Sequence, residues 1–137
     1  MGIFGAYGLD MATRWTVPAS TTPTFKAMQI YRNYDGVGGA FGDTSVFARV
    51  PDADDLSGFA ALRGGDGALT VMVINKVLSG PTPVTLNLAN FTASGTAQRY
   101  RLTAATAIRK LPPLAWSSGT LNDTAPAQSI TLYVLPK

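Results

Sequence analysis

At residues 31–46 the hydrophobic repeat of this chain changes from that of a helix to that of a strand, so neither a helical bundle nor a sheet alone accommodates it. Upstream, Ala27, Ile30, Tyr31 and Tyr34 recur at i, i+3, i+4 and i+7, with Phe25 and Met28 widening the stripe. Downstream, Val84, Leu86 and Leu88 alternate with Thr85 and Asn87, the pattern of a strand with one buried and one wet face. Between the two regimes lie Tyr31-Arg32-Asn33-Tyr34-Asp35-Gly36, a glycine-rich loop, and Phe41-Gly42-Asp43-Thr44-Ser45-Val46.

The helix has a start and a stop. Ser20, Thr21 and Thr22 offer hydroxyl caps, Pro23 suits the first helical position, and Asp35-Gly36 ends the run, so a helix is expected from Pro23 to Asn33 or Tyr34. Residues 1–9 are small and apolar and read as a helix end broken by glycine, and 10–17 as a short strand closed by Pro18. Past the loop, strands are expected at 44–50, 58–63, 69–75, 84–88, 97–103, 107–111 and 130–135. Leu69-Thr70-Val71-Met72-Val73-Ile74 is almost continuously apolar and belongs at the centre of a sheet, and Arg63-Gly64-Gly65-Asp66-Gly67 is a hairpin turn. Short strands at this spacing predict a sandwich of antiparallel sheets. The length of 137 residues suits one core, and 14 glycines and 9 prolines between apolar runs supply the turns.

Absences narrow the chemistry. There is no cysteine, no histidine and no glutamate, all 8 acidic residues being aspartate. Disulfides, thiolate nucleophiles, cysteine zinc sites and serine–histidine pairs are thereby excluded. The net charge of +3 comes from scattered basic residues, of which only Arg109 and Lys110 are adjacent, whereas nucleic-acid binders concentrate such charge. No nucleic-acid partner is expected. No membrane contact is expected either, because no apolar run approaches the roughly 20 residues of a span. The first residues lack the charged region of a secretory signal, so the chain as written carries no targeting address.

Several motifs invite a site and are better explained otherwise. Gly36-Val37-Gly38-Gly39-Ala40-Phe41-Gly42 follows a helix and precedes a strand, the reverse of a dinucleotide fingerprint, and reads as a flexible connector. A calcium loop around Asn33, Asp35 and Gly36 would put Tyr31 and Gly42 at its end positions, where neither side chain coordinates; a looser site would use Asp35 and Asp43. Asp52, Asp54 and Asp55 read as a solvated turn. No metal and no cofactor is expected. Asn90-Phe91-Thr92 and Asn122-Asp123-Thr124 match the glycosylation pattern, which matters only in a eukaryotic secretory pathway. Trp15, beside Arg14, is either a flat platform for a sugar ring or a core residue, and the residues alone leave both open. Trp116 reads as sandwich packing.

Asp10-Met11-Ala12-Thr13-Arg14-Trp15, the 31–36 stretch and the 41–46 stretch, in that order and spacing, resemble glycoside hydrolase family 44, the secreted bacterial endoglucanases. Val73-Ile74-Asn75-Lys76 resembles the family's mid-sandwich strand, and Ala127-Gln128-Ser129-Ile130-Thr131-Leu132 its closing strand. The resemblance covers only the C-terminal part of that architecture, a (β/α)8 barrel with an attached β-sandwich that hydrolyses β-1,4-glucans with retention. It implies a mainly β fold: an antiparallel β-sandwich preceded by a strand–helix unit left over from the barrel. Residues 1–36 would be the last barrel strand and helix, 37–43 the glycine-rich connector, and 44–137 the sandwich. The eighth strand would be 10–15, preceded by the end of the seventh helix at 1–8. Barrel active sites lie at the C-terminal ends of strands, so Trp15 and Arg14 would line the glucan cleft as substrate-binding residues.

Retaining hydrolysis needs two carboxyl groups about 5–5.5 Å apart. In the family both are glutamates on earlier strands, so none of the catalytic residues is expected in this chain and it should be inactive alone. The implied partners are a β-glucan polysaccharide, met through the intact enzyme, and the missing N-terminal barrel portion. Severed from it, the strand–helix unit should fold back on the sandwich, disorder, or swap between chains into a domain-swapped oligomer. A non-catalytic carbohydrate-binding module and a purely structural β-sandwich are the alternative readings.

Overall fold

A computed structural model describes residues 1–104 and 107–137. Two short helices, α1 (Gly2–Ala6) and α2 (Pro23–Arg32), precede eight strands: β1 (Thr44–Val46), β2 (Leu56–Leu62), β3 (Leu69–Asn75), β4 (Thr82–Asn87), β5 (Gly95–Leu102), β6 (Arg109–Trp116), β7 (Thr120–Ala125) and β8 (Ser129–Leu135). Six of them form one sheet in the order β1-β2-β3-β8-β5-β6, and β4 pairs with β7 in a second, two-stranded sheet. All these pairings are antiparallel.

The apolar run of β3 is explained by its place between β2 and β8, with both faces covered. Leu69, Val71 and Val73 join the core between the two sheets, together with Val84 and Leu121 of the β4–β7 ribbon and with Trp116 and Tyr133. Met72 faces the other way. It packs with Tyr100, Leu102, Leu132 and Val134 against Ile30, Tyr31 and Tyr34 of α2 and the residues that follow it. The large sheet is therefore the middle layer, between a helix and a ribbon, and the helical stripe finds its cover there. Ile30, with no exposed surface, contributes roughly 2–3 kcal/mol by burial.

Local chemistry sets the ends of α2. Thr22 Oγ1 accepts from the Phe25 amide at 3.3 Å and Pro23 opens the helix, as its cap signal predicts. The α1 helix lies against the ring of Phe59 at Gly2, where any Cβ would collide with it.

The structure departs from the sequence reading in four places. Residues 10–17, expected as a strand, form none. A strand exists only through ladder partners, and none is paired to this segment among the described residues. The strand expected at 44–50 stops at Val46. Conversely, β7 was not expected, and β6 runs on through Pro112 and Pro113 to Trp116. Proline is tolerated there because β6 is an edge strand, bonded to β5 alone.

Two strands cannot cover six. Val46, Leu56, Ala60 and Leu62, on β1 and β2, remain only partly buried on the side of the inter-sheet core.

Candidate functional site

Trp15 sits at a bend in the unpaired 10–17 segment, and its side chain is 99% exposed. The core-packing alternative for this residue is thus removed within the described chain. Arg14 folds back across the bend, its Nε donating to the Thr16 carbonyl at 3.0 Å. An indole face open to solvent beside a guanidinium offers stacking and hydrogen-bond donation, the two contacts that a sugar ring and its hydroxyls require. It offers no proton transfer.

Behind this segment lies a cleft of about 1020 Å³ between the N-terminal residues, α2 and the β1–β2 edge. Arg14 and Asp10 border it, with Phe41, Asp43 and Phe59 on the sheet side, whereas Trp15 does not. The hydroxyl of Tyr31 is buried at its α2 wall, where burial, partly offset by the nearby Gly2 backbone, pushes its pKa up to about 12.

Asp10 and Asp43 border the same cleft, yet Asp43 is already committed. Its Oδ1 accepts from the Gly64 amide at 3.1 Å and from Thr44 Oγ1 at 3.3 Å. Asp35, the other half of the loose cation site, accepts from the amides of Val37 at 3.0 Å and Gly39 at 2.8 Å. Burial works against ionising Asp35, but those amide donors outweigh it and hold the carboxyl below its usual range. Asp52 accepts from the Asp54 amide at 2.8 Å, the side-chain turn expected of a solvated loop. Among the described residues no three acidic, histidine or cysteine side chains come together to hold a metal. No described helix is long and apolar enough to cross a membrane.

Sequence reasoning missed one charged cluster. Asp123 of β7 accepts from Arg99 and Arg101 of β5 and from the Tyr133 hydroxyl of β8, between the two sheets. The available signal was the pair of arginines at i and i+2, which share one face of a strand.

No family model matches the chain. Among solved structures, a bifunctional glucanase-xylanase from a metagenome library is 60% identical with a TM-score of 0.96, the match covering 98% of this chain and 26% of that one. A family 44 endoglucanase from Clostridium thermocellum is 30% identical with a TM-score of 0.90, over 98% of this chain and 27% of that one. A curated β-mannanase/endoglucanase A of Caldicellulosiruptor saccharolyticus is 34% identical over 91 residues, 66% of this chain and 7% of its own length. The chain spans about a quarter of the solved relatives and a smaller share of the curated one. In sequence and in fold, this chain matches the C-terminal part of the glycoside hydrolase family 44 endoglucanases.

Proposed function

We propose that this chain is the C-terminal share of a retaining β-1,4-glucan endohydrolase, inactive alone, whose sandwich supports the barrel and whose 10–17 segment lines one side of the glucan cleft. The observation that carries this reading is Trp15, whose side chain is 99% exposed at the bend directly after Arg14. A side chain of that size left in water is costly unless a ligand or partner covers it. Arg14, beside it, supplies donors for sugar hydroxyls. The carboxyl pair would come from the missing N-terminal portion, since a chain without glutamate holds neither of the family's two.

The same portion would cover Ile3, Tyr7, Met11 and Val17, all exposed, unless a second copy does so by exchange. Secretion is the parent family's habit and is part of this proposal.

A carbohydrate-binding module is less well supported. Past the connector, Tyr100, Trp116 and Tyr133 are buried, Phe59 and Phe91 are partly buried, and Phe47 is the aromatic left open, at 90% exposure. One exposed ring is not a row of them.

The test is kinetic. In an enzyme reassembled from this chain and the N-terminal portion of a family 44 endoglucanase, Trp15→Ala should raise KM several-fold, the worth of about 1 kcal/mol of ring stacking. An unchanged KM would remove Trp15 from the cleft.

A further inference from the structure

The glycine-rich 36–42 stretch looks like a tether in sequence, and the structure gives five of its seven amides a specific acceptor. Val37 and Gly39 donate to Asp35 Oδ1, and Gly38 donates to Asn33 Oδ1 at 2.8 Å. Tyr34 closes the loop by donating to the Gly39 carbonyl at 3.0 Å, and Phe41 donates to the Tyr31 carbonyl at 2.8 Å. Gly42 donates to Thr70 Oγ1 at 2.9 Å, and that hydroxyl donates onward to the Ala61 carbonyl at 2.9 Å. Asp43 donates to the Leu62 carbonyl at 3.1 Å. A tether leaves such amides to water.

Two of the glycines serve contact rather than freedom. A Cβ at Gly39 would run into the Asp35 carboxylate and would lie 2.7 Å from Tyr34 Cζ. A Cβ at Gly42 would lie 2.5 Å from the Leu62 carbonyl oxygen and 2.7 Å from that of Ala61. Both are closer than real Cβ contacts allow, so glycine lets the backbone press against its neighbours.

The β2–β3 hairpin holds this loop from the far side. Arg63 donates through Nη1 to the Tyr34 hydroxyl at 2.8 Å and, in a fork, to Asp66 Oδ1 at 2.8 Å and Oδ2 at 2.6 Å. Gly64, next in the turn, donates to Asp43. One turn therefore grips the loop near both ends, at Tyr34 and at Asp43. The Tyr34 ring is itself clamped against Tyr100, their centroids 4.5 Å apart.

We propose that residues 33–43 form a locked joint, with Arg63 as its latch, which fixes the C-terminal end of α2 to the sandwich. Arg63 is a positioning residue: it touches no ligand and acts through Tyr34. Its functional consequence rests on the reading above, because a fixed α2 presents the preceding segment and Trp15 from a rigid base. The joint itself needs no glycan to be tested.

Hydrogen exchange on this chain alone provides that test. Tyr34→Phe removes only the hydroxyl that accepts from Arg63, leaving the ring contact and the Arg63–Asp66 fork in place. The amides of Val37, Gly38, Gly39 and Phe41 should then exchange about tenfold faster, as loss of one charge-assisted hydrogen bond implies, while Met72 and Leu132 in the central strands keep their protection. Arg63→Met should reproduce the pattern. Equal acceleration everywhere would reduce Arg63 to an ordinary stabiliser, and unprotected loop amides in the parent chain, or no change in either variant, would also overturn the joint. The outcome is independent of whether Trp15 meets a glucan.

Discussion

Asp123 on β7 and Arg99 on β5 meet across the sandwich, Oδ1 to Nη1 at 2.8 Å, with side chains 9% and 13% exposed. The second carboxylate oxygen receives Arg101 Nη2 at 3.1 Å and the Tyr133 hydroxyl at 2.9 Å. Arg99 also donates through Nε and Nη2 to the Pro112 carbonyl, and Arg101 through Nε to Thr131 Oγ1. Two guanidinium groups thus share one carboxylate in the layer where β7 crosses β5 and β8. Asp123 thereby joins the ribbon to β5 and β8, beside the apolar contacts of Val84 and Leu121.

Removal of Asp123 should therefore cost far more than loss of a surface ion pair. Asp123→Ala strands two arginines and a tyrosine hydroxyl in a largely dry site, at about 3 kcal/mol. Chemical denaturation of the variant against the parent chain measures it. A loss below about 1 kcal/mol, the range of exposed pairs, would mean that water reaches the cluster.

The same carboxyl makes stability pH-dependent. Burial alone would raise its pKa, but the Thr124 amide, Arg99 and Tyr133 outweigh burial and hold it below the ordinary 3.8. Asp66, gripped by Arg63, is drawn down to about 2. For a carboxyl whose folded pKa is depressed, the stabilisation is complete above the unfolded value and is lost as pH falls through the folded one. The melting temperature should accordingly be flat from neutral pH to just above 4 and fall below that. In Asp123→Asn the fall should be shallower. An equally steep fall would assign the acid sensitivity to other aspartates.

Asn75 ends β3 fully inside the protein and bonds in three directions. The two hydrogens on its Nδ2 are shared among Thr82 Oγ1 at 2.9 Å, the Pro126 carbonyl at 2.8 Å and, at a longer 3.2 Å, the Ala125 carbonyl, while its Oδ1 accepts from the Val77 amide at 3.1 Å. It ties the large sheet to one end of the ribbon. Asn75→Ala should destabilise by about 2 kcal/mol, because buried carbonyls are left unpaired. Asn75→Asp should do worse, since a carboxylate faces two carbonyl oxygens. Thermal unfolding of both variants checks the order.

At Gly42 the expected damage is steric. Gly42→Ala puts a methyl group against the β2 backbone, which cannot yield as a side-chain tip would, so about 1–3 kcal/mol should be lost and β1 should detach first. Hydrogen exchange at Thr44 and Val46 reads the detachment. Retained protection there would show that the strands can slide apart without cost.

What the sequence disclosed follows from where its local signals agreed with their surroundings. Leu69–Asn75 was legible to the residue because both of its faces are buried and the hairpin turn before it is explicit. The helix was legible because Thr22, Pro23 and the stripe ending in Tyr34 all say the same thing. β7 was not. Its inward positions are Leu121, Asp123 and Ala125, and a charged residue in the middle reads as a turn until Arg99 and Arg101 are seen opposite. Residues 10–17 misled in the other direction, since they carry strand-like residues but no described strand pairs with them. The fate of Trp15 was open for the same reason: whether a tryptophan is buried depends on neighbours, not on its own segment.

The most direct measurement is release of reducing sugar from carboxymethylcellulose. The purified chain alone should release none, and the chain mixed with the matching N-terminal portion of a family 44 endoglucanase should release it in a concentration-dependent manner. Turnover by the chain alone that disappears in Asp10→Asn, or a mixture that stays inert while both parts are folded, would contradict the account.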